Sequence, residues 1–162
     1  MVLITHSLVV SGIRLNFYLG TVMTTLVQKL LARPCFTVSP GATVGEVVNE
    51  FSKHNIGAVP VVNNQQKLEG IISERDIVRR LAQSEKIFEL YAADLMTRNV
   101  ISVSTSATSS DLMKIMTEKK CRHLPIVSEG RLVGMVSIGD VVKRLFDKYE
   151  TEAEQMRSFI NS

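Results

Sequence analysis

This chain carries nearly the same message twice, and that constrains its fold more than any other feature. Residues 36–51, FTVSPGATVGEVVNEF, return at 101–116 as ISVSTSATSSDLMKIM. IGAVPVV at 56–62 returns as CRHLPIV at 121–127, and GIISERDIVRRL at 70–81 returns as GMVSIGDVVKRL at 134–145. A unit of about fifty residues buries too little surface to be comfortably stable alone. The two copies are therefore expected to pack together, sheet to sheet, around a shared core.

Each copy predicts the same order of elements. A short β-branched strand opens it, and a Ser/Thr-rich turn leads to a helix capped by Thr43 or Thr108. Glu46 and Asp111 stand three residues on, which is the spacing of a capping box. Val44, Val47, Val48 and Phe51 then share one helical face, as do Leu112, Ile115 and Met116 in the second copy. The strands at 56–62 and 121–127 contain Pro60 and Pro125, and proline cannot donate to a ladder. An irregular or edge beginning is expected at each proline. After a turn (NNQQK, or the shorter SEG) comes a second strand and a last helix. Its apolar residues, Ile77, Val78 and Leu81 or Val141, Val142 and Leu145, are expected to face inward. The fold class is α/β: strand, helix, strand, strand, helix, twice, as a pseudo-two-fold module. The boundaries are a first repeat at 23–82, a connector at 83–94, a second repeat at 95–147 and a tail at 148–162. Met156, Phe159 and Ile160 recur in the tail at helical spacing, so it is expected to continue the last helix and to pack across a dimer.

Composition narrows the function classes. At 162 residues, with 45% hydrophobic and 22% charged residues, this is ordinary globular material. The net charge is +3, but no run of Lys and Arg resembles a nucleic-acid arm, and no basic face is interleaved with aromatics. The charge alone names no partner; it is compatible with a small anionic ligand, and without an aromatic-interleaved basic face nucleic acid is not the expected one. Cys35 and Cys121 lack metal-ligand spacing and read as free thiols of a reducing, cytoplasmic compartment. Residues 1–22 are too interrupted by polar side chains to be a membrane helix and lack a signal-peptide pattern. They are treated as an extension without chemistry. No Ser/His/Asp order, HExxH, P-loop or GxGxxG occurs, so the expectation is a protein that is not an enzyme.

The candidate chemistry lies in the doubled Ser73-x-x-Asp76 and Ser137-x-x-Asp140. Read alone, each is an N-terminal helix cap. The same placement also keeps a carboxylate ionised in the first helical turn, with two acceptor oxygens. Ser73 and Ser137 place hydroxyls where free backbone N–H groups favour an anion. Arg75 adds a guanidinium suited to phosphate in the first copy, where the second has Ile138-Gly139.

Taken together, TVSPGATVGEVV, HNIGAVPVV and LEGIISERDIV, followed by DLMTRNVISV, RHLPIV and LVGMVSIGDVV, resemble a tandem pair of CBS domains, or Bateman module, over about residues 24–147. The resemblance implies a stand-alone regulatory or sensory module that binds an adenosine-containing ligand between its repeats. AMP is expected first, with ADP, ATP or NAD(H) as alternatives. It also implies a homodimer, a regulated protein in trans and no membrane. By the same resemblance Asp76 and Asp140 hold ribose. Phe36, Thr37, Ile56, Gly57 and Ala58 form an adenine slot in the first copy, and Ile101, Ser102, Cys121, Arg122 and His123 form its counterpart. Pro60 and Pro125 lie beside these slots. Arg122 and His123 reach phosphates, and His123 would make binding stronger at low pH. Gly57 and Ala58 are small where Arg122 and His123 are bulky, so the first-copy slot is expected to bind adenine more tightly.

Overall fold

The computed structural model describes residues 9–10, 13–14, 25–83 and 86–160. Strand β1 (Val9–Val10) pairs antiparallel with β2 (Ile13–Arg14); the rest of the 1–22 extension lies outside the described residues. The first repeat contains helix α1 (Leu26–Leu31), α2 (Val44–His54), β3 (Ala58–Val62), β4 (Leu68–Ser73) and α3 (Glu74–Leu81). A 3-10 turn (Ile87–Glu89) and α4 (Ala92–Leu95) follow. The second repeat continues with α5 (Ser109–Glu118), β5 (His123–Ser128), β6 (Arg131–Ser137) and α6 (Ile138–Ile160), so the tail does prolong the last helix. No helix among the described residues is long and apolar enough to cross a membrane.

Local chemistry sets where these helices begin. Thr43 Oγ1 accepts from the Glu46 N–H at 3.2 Å while Glu46 returns the bond to the Thr43 N–H at 2.7 Å. Thr108 and Asp111 repeat the exchange at 3.2 and 3.0 Å. Such a cap stabilises by roughly 1 kcal/mol. Bonds from the threonines hold both carboxyls below their ordinary pKa.

The prolines act differently from expectation. β3 pairs antiparallel with β4 and β5 with β6, with Pro60 opposite Ile71 and Pro125 opposite Met135. The strands therefore begin at Ala58 and His123, before the prolines. Each proline's outward edge faces a parallel neighbour instead. The Val38 N–H donates to the Pro60 carbonyl at 3.1 Å, and Val103 does the same to Pro125 at 2.9 Å. A parallel ladder would next need an N–H at position 60 or 125, and proline has none. The predicted opening strands accordingly shrink to single bridges, Val38 with Val61 and Val103 with Ile126.

The apolar side chains form two cores rather than the single shared core expected. One gathers Val44, Val47, Phe51, Val59, Ile72 and Ile77 of the first repeat with Ile87, Ala92 and Met96. The other gathers Val103, Leu112, Met116, Leu124, Val136 and Val141 of the second with Leu26, Val27 and Leu30. Helix α1, which leads the first repeat, thus completes the core of the second, and α4, which leads into the second, completes the core of the first. Each hairpin covers only one side of its own helices, and the crossed helix closes the remaining side. Glycine makes the closure possible. A Cβ at Gly70 would fall 2.5 Å from Met96 Sδ, and one at the equivalent Gly134 would fall 3.3 Å from Leu31 Cδ2. The chain after α4 is also fastened to β4, because Ile71 and Thr97 exchange both backbone bonds at 3.1 and 2.9 Å.

The last helices pack by one edge only. Ile77 and Val141 are buried as expected, but Val78, Leu81 and Val142 are exposed, together with Phe146 and Tyr149 further along α6. Inward burial of all six predicted positions is thereby corrected: with one neighbouring layer, a helix can bury only the stripe that faces it.

Candidate functional site

Crossing of the preceding helices decides what stands opposite each aspartate. With α4 packed on the first repeat, the chain beyond it runs past β4 and the start of α3. Thr97, Asn99, Val100 and Ile101 are carried to the same cleft as Ser73, Arg75 and Asp76. From the second repeat, Cys121, Arg122 and His123 close it, and Gly57 and Ala58 contribute from the first. The cleft measures about 350 Å³, near the lower end of the roughly 300–1,000 Å³ of small-molecule sites.

In both copies the backbone locks the helix start to the segment before the proline. The Glu74 N–H donates to the Gly57 carbonyl at 3.1 Å, and the Ile138 N–H to the Arg122 carbonyl at 2.8 Å. Ser73 caps Asp76 through its N–H at 2.8 Å and its hydroxyl at 2.6 Å, both given to Oδ2. No described residue donates to the other oxygen. Ser137 treats Asp140 in the same way, at 2.9 and 2.6 Å. There, however, Arg33 Nη1 also donates to Oδ1 at 2.7 Å. Burial raises the Asp140 pKa, but the bonds from Ser137 and Arg33 outweigh it and leave the carboxyl below its ordinary value.

Cations dominate the Asp76 cleft. Arg75 and Arg79 project from α3, one helical turn apart, and Lys119 and Lys120 come from the end of α5. Arg122 adds a fifth, against the carboxylates of Glu74 and Asp76. His123 is half-buried between the repeats. Burial lowers its pKa, Glu74 and Asp140 oppose the shift, and Arg122 adds to it. Burial likewise raises the Cys121 and Cys35 thiols, so neither is poised as a thiolate. Both cysteines are free.

Of the residues singled out in the sequence, Gly57, Ala58, Ser73, Arg75, Asp76, Ile101, Cys121, Arg122 and His123 come together here. Phe36, Thr37, Ile56, Ser102, Pro60 and Pro125 do not line this cleft. Phe36 instead stacks on His54, ring centroids 3.5 Å apart, while Pro60 and Pro125 are buried within strands. Ser137 and Asp140 belong to the other helix start. Sequence reasoning missed Ile71, Glu74, Arg79, Thr97, Asn99, Val100, Lys119 and Lys120. Arg79 was legible as the next turn after Arg75. Thr97, Asn99 and Val100 were not, because nothing local announces that a connector crosses to the opposite repeat.

Two α/β repeats related by pseudo-two-fold symmetry, each closed by the other's leading helix and each starting its last helix with Ser-x-x-Asp, define a paired-repeat module. The CBS domain family profile matches residues 27–83 and again 92–147, and the chain belongs to the CBS-domain family. An uncharacterized 17.7 kDa protein of Acidianus ambivalens is 36% identical over 126 residues, covering 77% of this chain and 76% of that protein. Inosine-5'-monophosphate dehydrogenase of Methanocaldococcus jannaschii is 32% identical over 72% of this chain, but the match spans only 23% of that enzyme. Among solved structures, the CBS domain pair of protein MJ0100 in complex with 5-methylthioadenosine and S-adenosyl-L-methionine superposes with a TM-score of 0.67. It is 33% identical, over 78% of this chain and 98% of that one.

Proposed function

We propose that this CBS pair is a regulatory module that binds a phosphate-bearing adenine nucleotide in the Asp76 cleft and acts on a partner protein in trans. The observation that carries the reading is that no described residue donates to Asp76 Oδ1, in a cleft that five cationic side chains also line. A carboxylate with an unused acceptor suits the hydroxyls of a ribose. The Arg75, Arg79, Lys119, Lys120 and Arg122 charges suit the phosphates beyond it. Ala58, Ile71, Val100 and Ile101 offer the apolar surface for a purine. Because Pro125 has no N–H to give, the Ile101 carbonyl is left out of the parallel ladder and can accept from the adenine amino group.

The same charges choose among adenosine ligands. The related MJ0100 pair holds a thioether and a sulfonium compound; a sulfonium cation gains nothing from five positive side chains. AMP, ADP and ATP gain from them, and the cleft volume favours a mononucleotide over NAD(H). Ligand-induced stabilisation tests this directly, since a ligand at a hundred times its Kd adds about 2.7 kcal/mol. AMP or ATP at millimolar concentration is expected to raise Tm in the native protein, and by less in Asp76→Ala. No shift with any adenosine ligand overturns the proposal.

A second copy of the chain is the proposed partner for the exposed apolar stripe of Val78, Leu81, Val142 and Phe146. Val78 and Val142 are equivalent positions of the two repeats. A pseudo-symmetric face of this kind can meet itself about a two-fold axis.

A further inference from the structure

Arg33 and Arg98 occupy equivalent positions just after α1 and α4, in LLARP and DLMTRN. Their side chains do different things. Arg33 reaches across to the opposite repeat and holds Asp140 Oδ1 at 2.7 Å. Arg98 turns back on its own helix and donates from Nη2 to the Ala93 carbonyl at 3.0 Å. Both aspartates spend Oδ2 on the serine three residues before them. Asp76 therefore keeps an oxygen that no described residue engages, and Asp140 keeps none.

From this difference we infer that Arg33 is a latch on the second ligand position: it occupies the acceptor that a ribose would need, so that the two aspartates are unequal in the ligand-free protein. The inference rests on the nucleotide-binding reading above. The exposure of the pair fits a latch. The Asp140 side chain is only 18% exposed, whereas that of Arg33 is 61% exposed. Arg33 is thus the solvent-exposed partner of the pair and can swing away without unfolding anything. An ion pair with one partner this exposed is weak enough to be displaced. At the second position the ion pair competes with ligand for the carboxylate. Ligand fills the Asp76 cleft first and reaches Asp140 only at higher concentration, which gives the module two response thresholds from one repeated motif.

The test uses full-length protein and isothermal titration with two probes, adenosine and AMP. In an Asp76→Ala background only the Asp140 position remains to bind. Adding Arg33→Gln is expected to tighten both probes there by about fivefold, the order of the competing ion pair. In the native protein, two classes of site are expected, merging toward one in Arg33→Gln alone. Unchanged affinity in the double variant overturns the latch. So does weaker AMP binding with unchanged adenosine binding, because Arg33 would then be a phosphate ligand. If native protein binds neither probe at any position, the nucleotide-binding reading itself is overturned, and the inference with it. These results are told apart by whether the Asp76 cleft still binds in Arg33→Gln.

Discussion

Gly70 lies so close beneath Met96 that a Cβ at position 70 would come 2.5 Å from Sδ, 2.7 Å from Cγ and 2.8 Å from Cβ of that methionine. Because the clash reaches the methionine Cβ, rotating its side chain cannot relieve it. Gly70→Ala is expected to destabilise the protein by about 1–3 kcal/mol, the usual cost of overpacking. The equivalent Gly134→Ala meets a single Leu31 methyl at 3.3 Å and is expected to cost less. Thermal melts of the two variants check the order. Met96→Ala removes Sδ and Cγ but keeps Cβ, so combined with Gly70→Ala it should cost less than the sum of the two single changes, and an additive result would argue against this contact as the cause.

Asp76 offers its ligand a charged acceptor, and hydrogen bonds to charged groups are worth roughly 1.5–3 kcal/mol each. Asp76→Asn is expected to weaken AMP binding by at least about tenfold while circular dichroism stays native. Titration calorimetry measures the first, and a loss below twofold would remove Asp76 from the ribose role.

The cation bank predicts a charge ladder. Affinity should rise from adenosine to AMP to ATP and fall as salt is added, because exposed charges are screened over about 10 Å at 0.1 M. Arg79→Ala and Lys120→Ala should weaken ATP but leave adenosine unaffected. A salt-independent ATP affinity would show that these cations do not touch phosphate.

Burial holds His123 below its ordinary value of 6.5. The unfolded chain therefore takes up this proton more readily than the folded one. The group's contribution to stability is complete above the unfolded value of ~6.5 and is lost as pH falls from there through the lower folded value. Ligand-free protein should melt earlier across that window, and His123→Gln should flatten the dependence. Phosphate binding has the opposite sign, since it favours the imidazolium. AMP affinity should therefore increase as pH falls toward the lowered value of the ligand-free folded protein.

The exposed stripe along α3 and α6 predicts self-association. Phe146, 61% exposed, is a direct probe: Phe146→Glu should convert a dimer to monomer in light scattering. A monomeric native protein would leave the stripe to another partner.

How much of this was legible beforehand depends on distance along the chain. The sequence alone determined the two repeats, the threonine caps with Glu46 and Asp111, the buried stripes of α2 and α5, and the doubled Ser-x-x-Asp at the starts of α3 and α6. All of these are interactions within a few residues, where periodicity and hydrogen-bonding chemistry act directly. Only the tertiary structure decided that α1 completes the second core and α4 the first. That crossing places Asn99, Val100 and Ile101, and not Phe36 and Thr37, in the cleft of Asp76, and it carries Arg33 to Asp140. Burial of whichever apolar faces remain open drives the crossing, and that drive is not directional along the sequence. No local pattern in Leu26, Val27 and Leu30 could say which repeat would receive them.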